Sequence, residues 1–241
     1  MILEFDIGNT RAKWRVISAC GSQVVVRGDI PTPDLGAFSV DVLPAGISLV
    51  RLASVASEVL VHGLIKCLQA RLSVPIHQAK TQGISAGVIN SYDDPSKMGV
   101  DRWLTIVAAY HRAQGACCVV DCGTAIKIEF ISAQGRHRGG YILPSAKMMV
   151  SSLLRNTAQI ANGMTHQIDY QGLGTSTAGA VHGGAEYLTR ALRKQILVDV
   201  KREGGCPLYV TGGDAKVLFP SGEGVTYCPD LVFEGLAIVL S

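Results

Sequence analysis

The stretches MILEFDIGNT, residues 1–10, and ACCVVDCGTA, residues 116–125, decide the fold. In each, an apolar run ends at an aspartate, Asp6 or Asp121, and passes into a glycine and a hydroxyl residue: Gly8 with Thr10, Gly123 with Thr124. Such runs, stopped by Asp, Gly and Asn, predict a buried strand closed by a turn. The segments beyond these turns repeat as well. Residues 13–17 predict a second strand, Cys20-Gly21-Ser22-Gln23 a turn, and residues 24–26 the third strand of a meander. In the second half, residues 125–131, the turn Ser132-Ala133-Gln134-Gly135 and an extended piece through Tyr141 do the same. A unit of this length occurring twice predicts two domains with a common core, residues 1–112 and 113–241, and not a short-period solenoid.

Working outward, residues 58–72 carry Leu60, Leu64, Ile65 and Leu68 at helical spacing, and residues 102–111 predict a second helix. Residues 90–99, with Tyr92, Asp93, Asp94 and Pro95, read as a loop. Residues 146–156 and 178–193 predict helices, and residues 208–211 a short strand ending in Gly212-Gly213. Of the 241 residues 48% are hydrophobic and 17% charged, which excludes a largely disordered chain. Lys and Arg number 22 against 19 acids, and a net charge of +3 is no nucleic-acid footprint by itself. Seven cysteines without a CxxC pair read as reduced core thiols. The start has no basic leader and meets an acid at Glu4, and no apolar run approaches the roughly 18 residues of a spanning helix, so a cytoplasmic protein is expected. His62, His77, His111, His137, His166 and His182 show no ligand spacing and read as surface or hydrogen-bonded core positions; residues 136–138 read as a solvated basic turn, and Trp14 and Trp103 as core.

An acid after a buried strand, then a glycine and a hydroxyl, suits a nucleoside triphosphate. The glycine lets backbone N–H groups approach phosphate oxygens, the hydroxyl donates another bond, and the carboxylate can hold Mg²⁺ directly or through water. Either turn alone is explained as a hairpin; their repetition after matched strands favours the phosphate reading. A third glycine element, Thr211-Gly212-Gly213-Asp214-Ala215, offers bare backbone to an adenine or ribose. Gly83-Ile84-Ser85-Ala86-Gly87 matches a serine hydrolase elbow, but an elbow needs a helix directly after it, and residues 88–95 break helices. No GxxxxGK[ST] loop is present, which excludes a P-loop kinase, and Gly172-Leu173-Gly174 lacks the third glycine of a dinucleotide fingerprint.

The three turns together resemble the two phosphate motifs and the adenosine motif of the superfamily of acetate kinase, sugar kinases, heat-shock ATPases and actin. That resemblance implies an α/β chain of two similar actin-like ATPase (ribonuclease H-like) domains around a nucleotide cleft. Gly99-Val100-Asp101-Arg102-Trp103, with Tyr92 upstream, resembles the substrate motif of type III pantothenate kinases; the two aspartate turns, Gly139-Gly140-Tyr141-Ile142-Leu143-Pro144 and residues 211–215 resemble that family in order and spacing. The resemblance implies phosphorylation of pantothenate by ATP, the first step towards coenzyme A. It makes Asp6, Ile7, Gly8, Asn9, Thr10, Arg11, Ala12 and Lys13 the first ATP-phosphate segment, with Mg²⁺ at Asp6 and Lys13 a point charge for phosphate. Thr124, Gly212 and Gly213 would meet the nucleotide. Asp101 would be the general base, with Gly99, Val100, Arg102, Tyr92 and Thr177 against the substrate. It further implies a homodimer, and a monovalent cation, K⁺ or NH₄⁺, at Asp121.

Two positions depart from the family pattern. A threonine and then an aspartate two places later are replaced by Lys127 and Glu129, and the glycine after the Gly-Gly-x-x-x-Pro run by Ser145. Directed at Asp121, Lys127 would stand in the cation's place and supply the same charge; pointing outward, it would be a solvated strand lysine. A non-catalytic, accessory binding role is the competing class; Asp6, Lys13, Asp101, Arg102, Asp121 and Thr124 argue for retained chemistry.

Overall fold

The computed structural model describes residues 1–21, 23–156, 172–222 and 224–241. Of the residues singled out above, Ser22 and His166 lie outside these. Both apolar runs that end in aspartate become the middle strand of a five-stranded sheet. The first sheet holds β1 (Ile2–Ile7), β2 (Arg11–Ile17), β3 (Val24–Pro31), β4 (Leu49–Ser54) and β5 (Ile76–Gln78) in the order β3-β2-β1-β4-β5. β1, β2 and β3 form the antiparallel meander, and β4 pairs parallel with β1 and β5. β6 (Ile84–Ser85) and β7 (Val88–Ile89) form a separate hairpin. The second sheet, β8 (Cys117–Cys122), β9 (Ala125–Ile131), β10 (His137–Pro144), β11 (Leu208–Thr211) and β12 (Thr226–Tyr227), repeats the order as β10-β9-β8-β11-β12. The helices are α1 (Glu58–Arg71), α2 (Val100–Ala113), α3 (Ala146–Asn156), α4 (Thr177–Arg202), α5 (Ala215–Leu218) and α6 (Leu231–Val239).

By contact the chain divides into a first unit, Met1–Gly115 with Ile131–Arg138 and Asp230–Ser241, and a second, Ala116–Phe130 with Gly139–Pro229. The units interleave in sequence, where the repeat divides the chain once, at 112/113. In the first unit, alternation along β1 sends Leu3, Phe5 and Ile7 to one face, where they meet Trp14, Val16 and Leu52 under Val61, Leu64 and Leu68 of α1. The other face packs Ala53 against Val100 and Leu104 of α2 and Phe233 and Leu236 of α6.

Charge ties α6 to this unit. Glu4, fully buried, accepts from Arg15 Nε at 2.7 Å and lies 3.5 Å from Arg51; Arg15 and Arg27 both reach Asp230, the residue before α6, and Arg15 lies over the Phe233 ring. In the second unit Cys118, Val120, Ile126, Ile128, Leu208 and Val210 pack with Ile196 and Val200 of α4 and with Leu218 and Phe219.

Ser85 lies in the β6–β7 hairpin with no helix after it, in line with the helix-breaking residues 88–95 that argued against a hydrolase elbow. Other expectations change. Residues 136–138 are not a solvated turn: they lead into β10, and although Arg136 and Arg138 are exposed, His137 is fully buried. The cysteines form no disulfide but are not all core: Cys20 is exposed, and Cys67 and Cys206 are half-buried. Ser145 is buried and accepts the Met148 N–H at 3.3 Å, capping α3, which explains a hydroxyl residue there.

Candidate active site

In the first unit β1 delivers Asp6 to its carboxyl end. The register places Asp6 beside Lys13 on β2 and Ala53 on β4. Since Ala53 packs against Val100, Asp6 lies on the face of the sheet that α2 covers. The turn after it is strapped: the Gly8 N–H donates to Arg11 O at 3.0 Å, and Thr32 Oγ1 donates to Gly8 O at 2.7 Å. Asn9, Thr10 and Lys13 are exposed. Ile7 and Ala12 are buried in the core, so only their backbone faces outward chemistry. Arg11 is ion-paired with Asp29.

α2 brings Asp101 to the same sheet end. Val55 N, just past β4, donates to Ile7 O at 3.0 Å, and a Cβ on Gly99 would lie 3.6 Å from Val55 Cγ1. That Cβ would also lie only 2.7 Å from Asp101 Oδ1, so the carboxylate occupies the space that a side chain at 99 would need. Gly99 caps the helix, and half-buried Asp101 accepts the Arg102 N–H at 2.8 Å at the positive end of α2. Arg102 is buried and donates from Nη1 to the Tyr92 hydroxyl at 2.8 Å, with its guanidinium 5.5 Å from the Tyr92 ring centre. Buried Asn90 fixes the Tyr92 loop by accepting the Tyr92 N–H at 3.0 Å. Behind it, His137 bonds through Nδ1 to Ser91 Oγ at 2.8 Å and lies beside the Tyr92 ring. His137 is a hydrogen-bonded core position, one of the two readings the sequence allowed, but its tie to the Tyr92 loop was not foreseen, because an isolated histidine outside any ligand spacing carries no signal of what it supports.

In the second unit Asp121 lies one residue before the end of β8, as register partner of Thr211 on β11. Lys127 Nζ donates to Asp121 Oδ2 at 2.7 Å, and both side chains are largely withdrawn from water, at 19% and 16% exposure. Thr124 is exposed in the turn. The glycine turn after β11 closes on the same strand end: Asp214 N donates to Cys122 O at 3.0 Å, and Lys147 bonds Asp214. Gly212 has φ +92°, and a Cβ there would meet Cys122 O at 2.4 Å, so its own neighbour requires the glycine; Gly213 has open space where a Cβ would stand. The second aspartate turn and the third glycine turn thus lie side by side. Thr177 is exposed at the start of α4.

The fold is that of the actin-like ATPases and sugar kinases. A candidate N-acetylmannosamine kinase from Listeria monocytogenes aligns with TM-score 0.51 at 12% identity, covering 99% of this chain and 98% of the other. A Campylobacter jejuni protein described as a candidate Baf family transcriptional activator aligns at 0.59 and 20% identity, covering 99% and 96%. Sequence relationship is closer. Proteins named type III pantothenate kinase are 36% identical in Ectopseudomonas mendocina, over 99% of this chain and 98% of theirs, and 37% identical in Pseudomonas paraeruginosa with the same coverage. The type III pantothenate kinase family model matches residues 2–198, and with those full-length relatives it shows that this chain belongs to the type III pantothenate kinase family.

Proposed function

We propose that the protein transfers the γ-phosphoryl group of ATP to the primary hydroxyl of pantothenate, giving phosphopantothenate and ADP, the first step towards coenzyme A. The observation that carries this reading is the Asp101 carboxylate at the amino end of α2, at the sheet end that holds Asp6 and Lys13. A loose phosphoryl-transfer transition state asks for placement and charge neutralisation more than for covalent chemistry. Lys13 supplies a point charge to phosphate oxygens. Asp101 accepts the hydroxyl proton as its oxygen attacks phosphorus, and the bond from phosphorus to the bridging oxygen breaks as ADP leaves. Arg102, fixed by Tyr92, and the Gly99 backbone orient the acceptor; Val100 is buried and acts through packing. Thr124 and the open backbone at Gly213 are assigned to the nucleotide, and Thr177 to the substrate.

Mg²⁺ is commonly held by one or two carboxylates together with substrate phosphates and water. Half-buried Asp6 fits that mode, and among the described residues no group of three His, Cys, Asp or Glu forms an all-protein cage. Bound there, the ion would neutralise charge on the transferring phosphoryl group. A cation at Asp121 fits less well, because Lys127 Nζ already stands 2.7 Å from its carboxylate. A homodimer is supported by exposed apolar side chains on the second unit, Tyr141, Ile142, Leu173, Tyr187 and Leu188, which a second copy would cover. Because it consumes ATP, the reaction belongs in the cytoplasm. ADP release coupled to a detector tests the activity. It should require both Mg²⁺ and pantothenate; a folded protein releasing no more ADP with pantothenate than without it overturns the reading.

A further inference from the structure

We propose that Lys127 is a built-in monovalent cation: its ammonium holds the place at Asp121 that a dissolved potassium or ammonium ion would fill, so the enzyme works without either. The kinetic part of this proposal rests on the kinase reading above; the binding part does not.

The distance carries it. Lys127 Nζ lies 2.7 Å from Asp121 Oδ2, and both side chains are more than four-fifths withdrawn from water. Asp121 lies at the carboxyl end of the central strand of its sheet, three residues before the exposed Thr124. A carboxylate left uncompensated there would repel a polyphosphate, so one positive charge beside it is the local requirement. An ammonium on its own strand supplies that charge with three N–H donors, as an ammonium ion would.

Tethering holds the ammonium at the carboxylate without recruitment from solution. A dissolved cation would have to enter beside a like charge in a site where water screens weakly. The first unit offers a comparison. There Lys13 is the register partner of Asp6, but its side chain is exposed and can serve phosphate. Lys127 is largely buried against its aspartate, which marks it as a counter-charge.

The test titrates potassium against the full-length protein in Tris buffer free of potassium and ammonium, reading ADP release and the melting temperature. For the parent, turnover should change by less than about twofold between zero and saturating potassium, with no rise in melting temperature. Lys127→Thr and Lys127→Gln should lose about tenfold or more in potassium-free buffer, recover with potassium or ammonium, and melt higher when potassium is added. Potassium activation of the parent by tenfold or more overturns the proposal. So do variants that match the parent in both activity and melting response. If no form turns over pantothenate under any cation, the kinase reading has failed, and the melting comparison still decides whether Lys127 fills the cation's place. If neither variant folds, the parent titration decides alone.

Discussion

At the scale of single residues, the proposed acceptor side of the site rests on a chain of contacts from His137 through the Ser91–Tyr92 loop to Arg102. Replacing Tyr92 by Phe keeps the ring but removes the hydroxyl that accepts from the buried guanidinium. A hydrogen bond to a charged group contributes about 1.5–3 kcal/mol, so kcat/KM for pantothenate should fall by about tenfold or more, while the KM for ATP stays within about twofold. Equal losses toward both substrates in steady-state kinetics would contradict that division of labour. Asp101, Arg102 and Tyr92 were proposed from the sequence because they lie in or just upstream of one short motif, and the structure brings Arg102 and Tyr92 together. The tie of His137 to the Ser91–Tyr92 loop was not legible, since a contact between segments far apart in the chain leaves no local pattern. Lys127 was legible as a departure from the family pattern, but its direction was not: whether a strand lysine turns in or out depends on the counter-charge that folding places beside it. Gly212 carries a similar lesson, for a glycine in a nucleotide-like turn is required first by the backbone of Cys122.

At the scale of elements, period-two alternation in β1 and β2 and the turn residues between them made the meander readable. β4 was missed, although it joins the meander to β5. It is a short run interrupted by Arg51, whose reason for being there, Glu4 on the neighbouring strand, is visible only once the strands pair. α4 runs to Arg202, well past the expected end, because Ile196 and Val200 continue the buried face. The buried charges give a contrast in stability. Arg15→Met leaves Glu4 with Arg51 at 3.5 Å and frees Asp230 of one partner, and breaking a buried pair of this kind costs about 3–5 kcal/mol. The half-exposed Arg11–Asp29 pair is in the class that contributes about 1 kcal/mol or less, so Arg11→Met should barely move the midpoint. Urea unfolding of the two variants decides it: equal midpoints would show that the Glu4 network does not anchor α6.

At the scale of the whole molecule, the repetition of one strand-turn-strand unit was readable in the sequence, whereas the five-stranded order that both sheets share and the return of residues 131–138 and 230–241 to the first unit were not. Residues 230–241 return through side-chain pairing of Asp230 and Glu234 and helix packing, and residues 131–138 through the Ile89–Gly135 backbone bond and the His137–Ser91 bond, all between segments far apart in sequence. The thiols report on the integrity of the second sheet. Burial pushes Cys117 and Cys122 up to about 12 and Cys118 higher still. Unfolded thiols ionise near 9.0, so the unfolded state releases protons first. The stability these neutral thiols contribute is fully present below that pH and is lost between about 9 and about 12. Native alkylation near pH 8 should therefore label exposed Cys20 and leave Cys117, Cys118 and Cys122 unmodified by mass spectrometry; rapid labelling of those three would contradict the packing of the second sheet. The central claim is that the carboxylate at the start of α2 takes the proton from the acceptor hydroxyl. It is tested most directly by comparing Asp101→Asn with the parent in ADP release and in ATP affinity by calorimetry. We expect kcat to fall by roughly 10²–10⁴ with ATP affinity unchanged within about threefold, the usual scale for loss of a general base; near-normal turnover in the variant would contradict it.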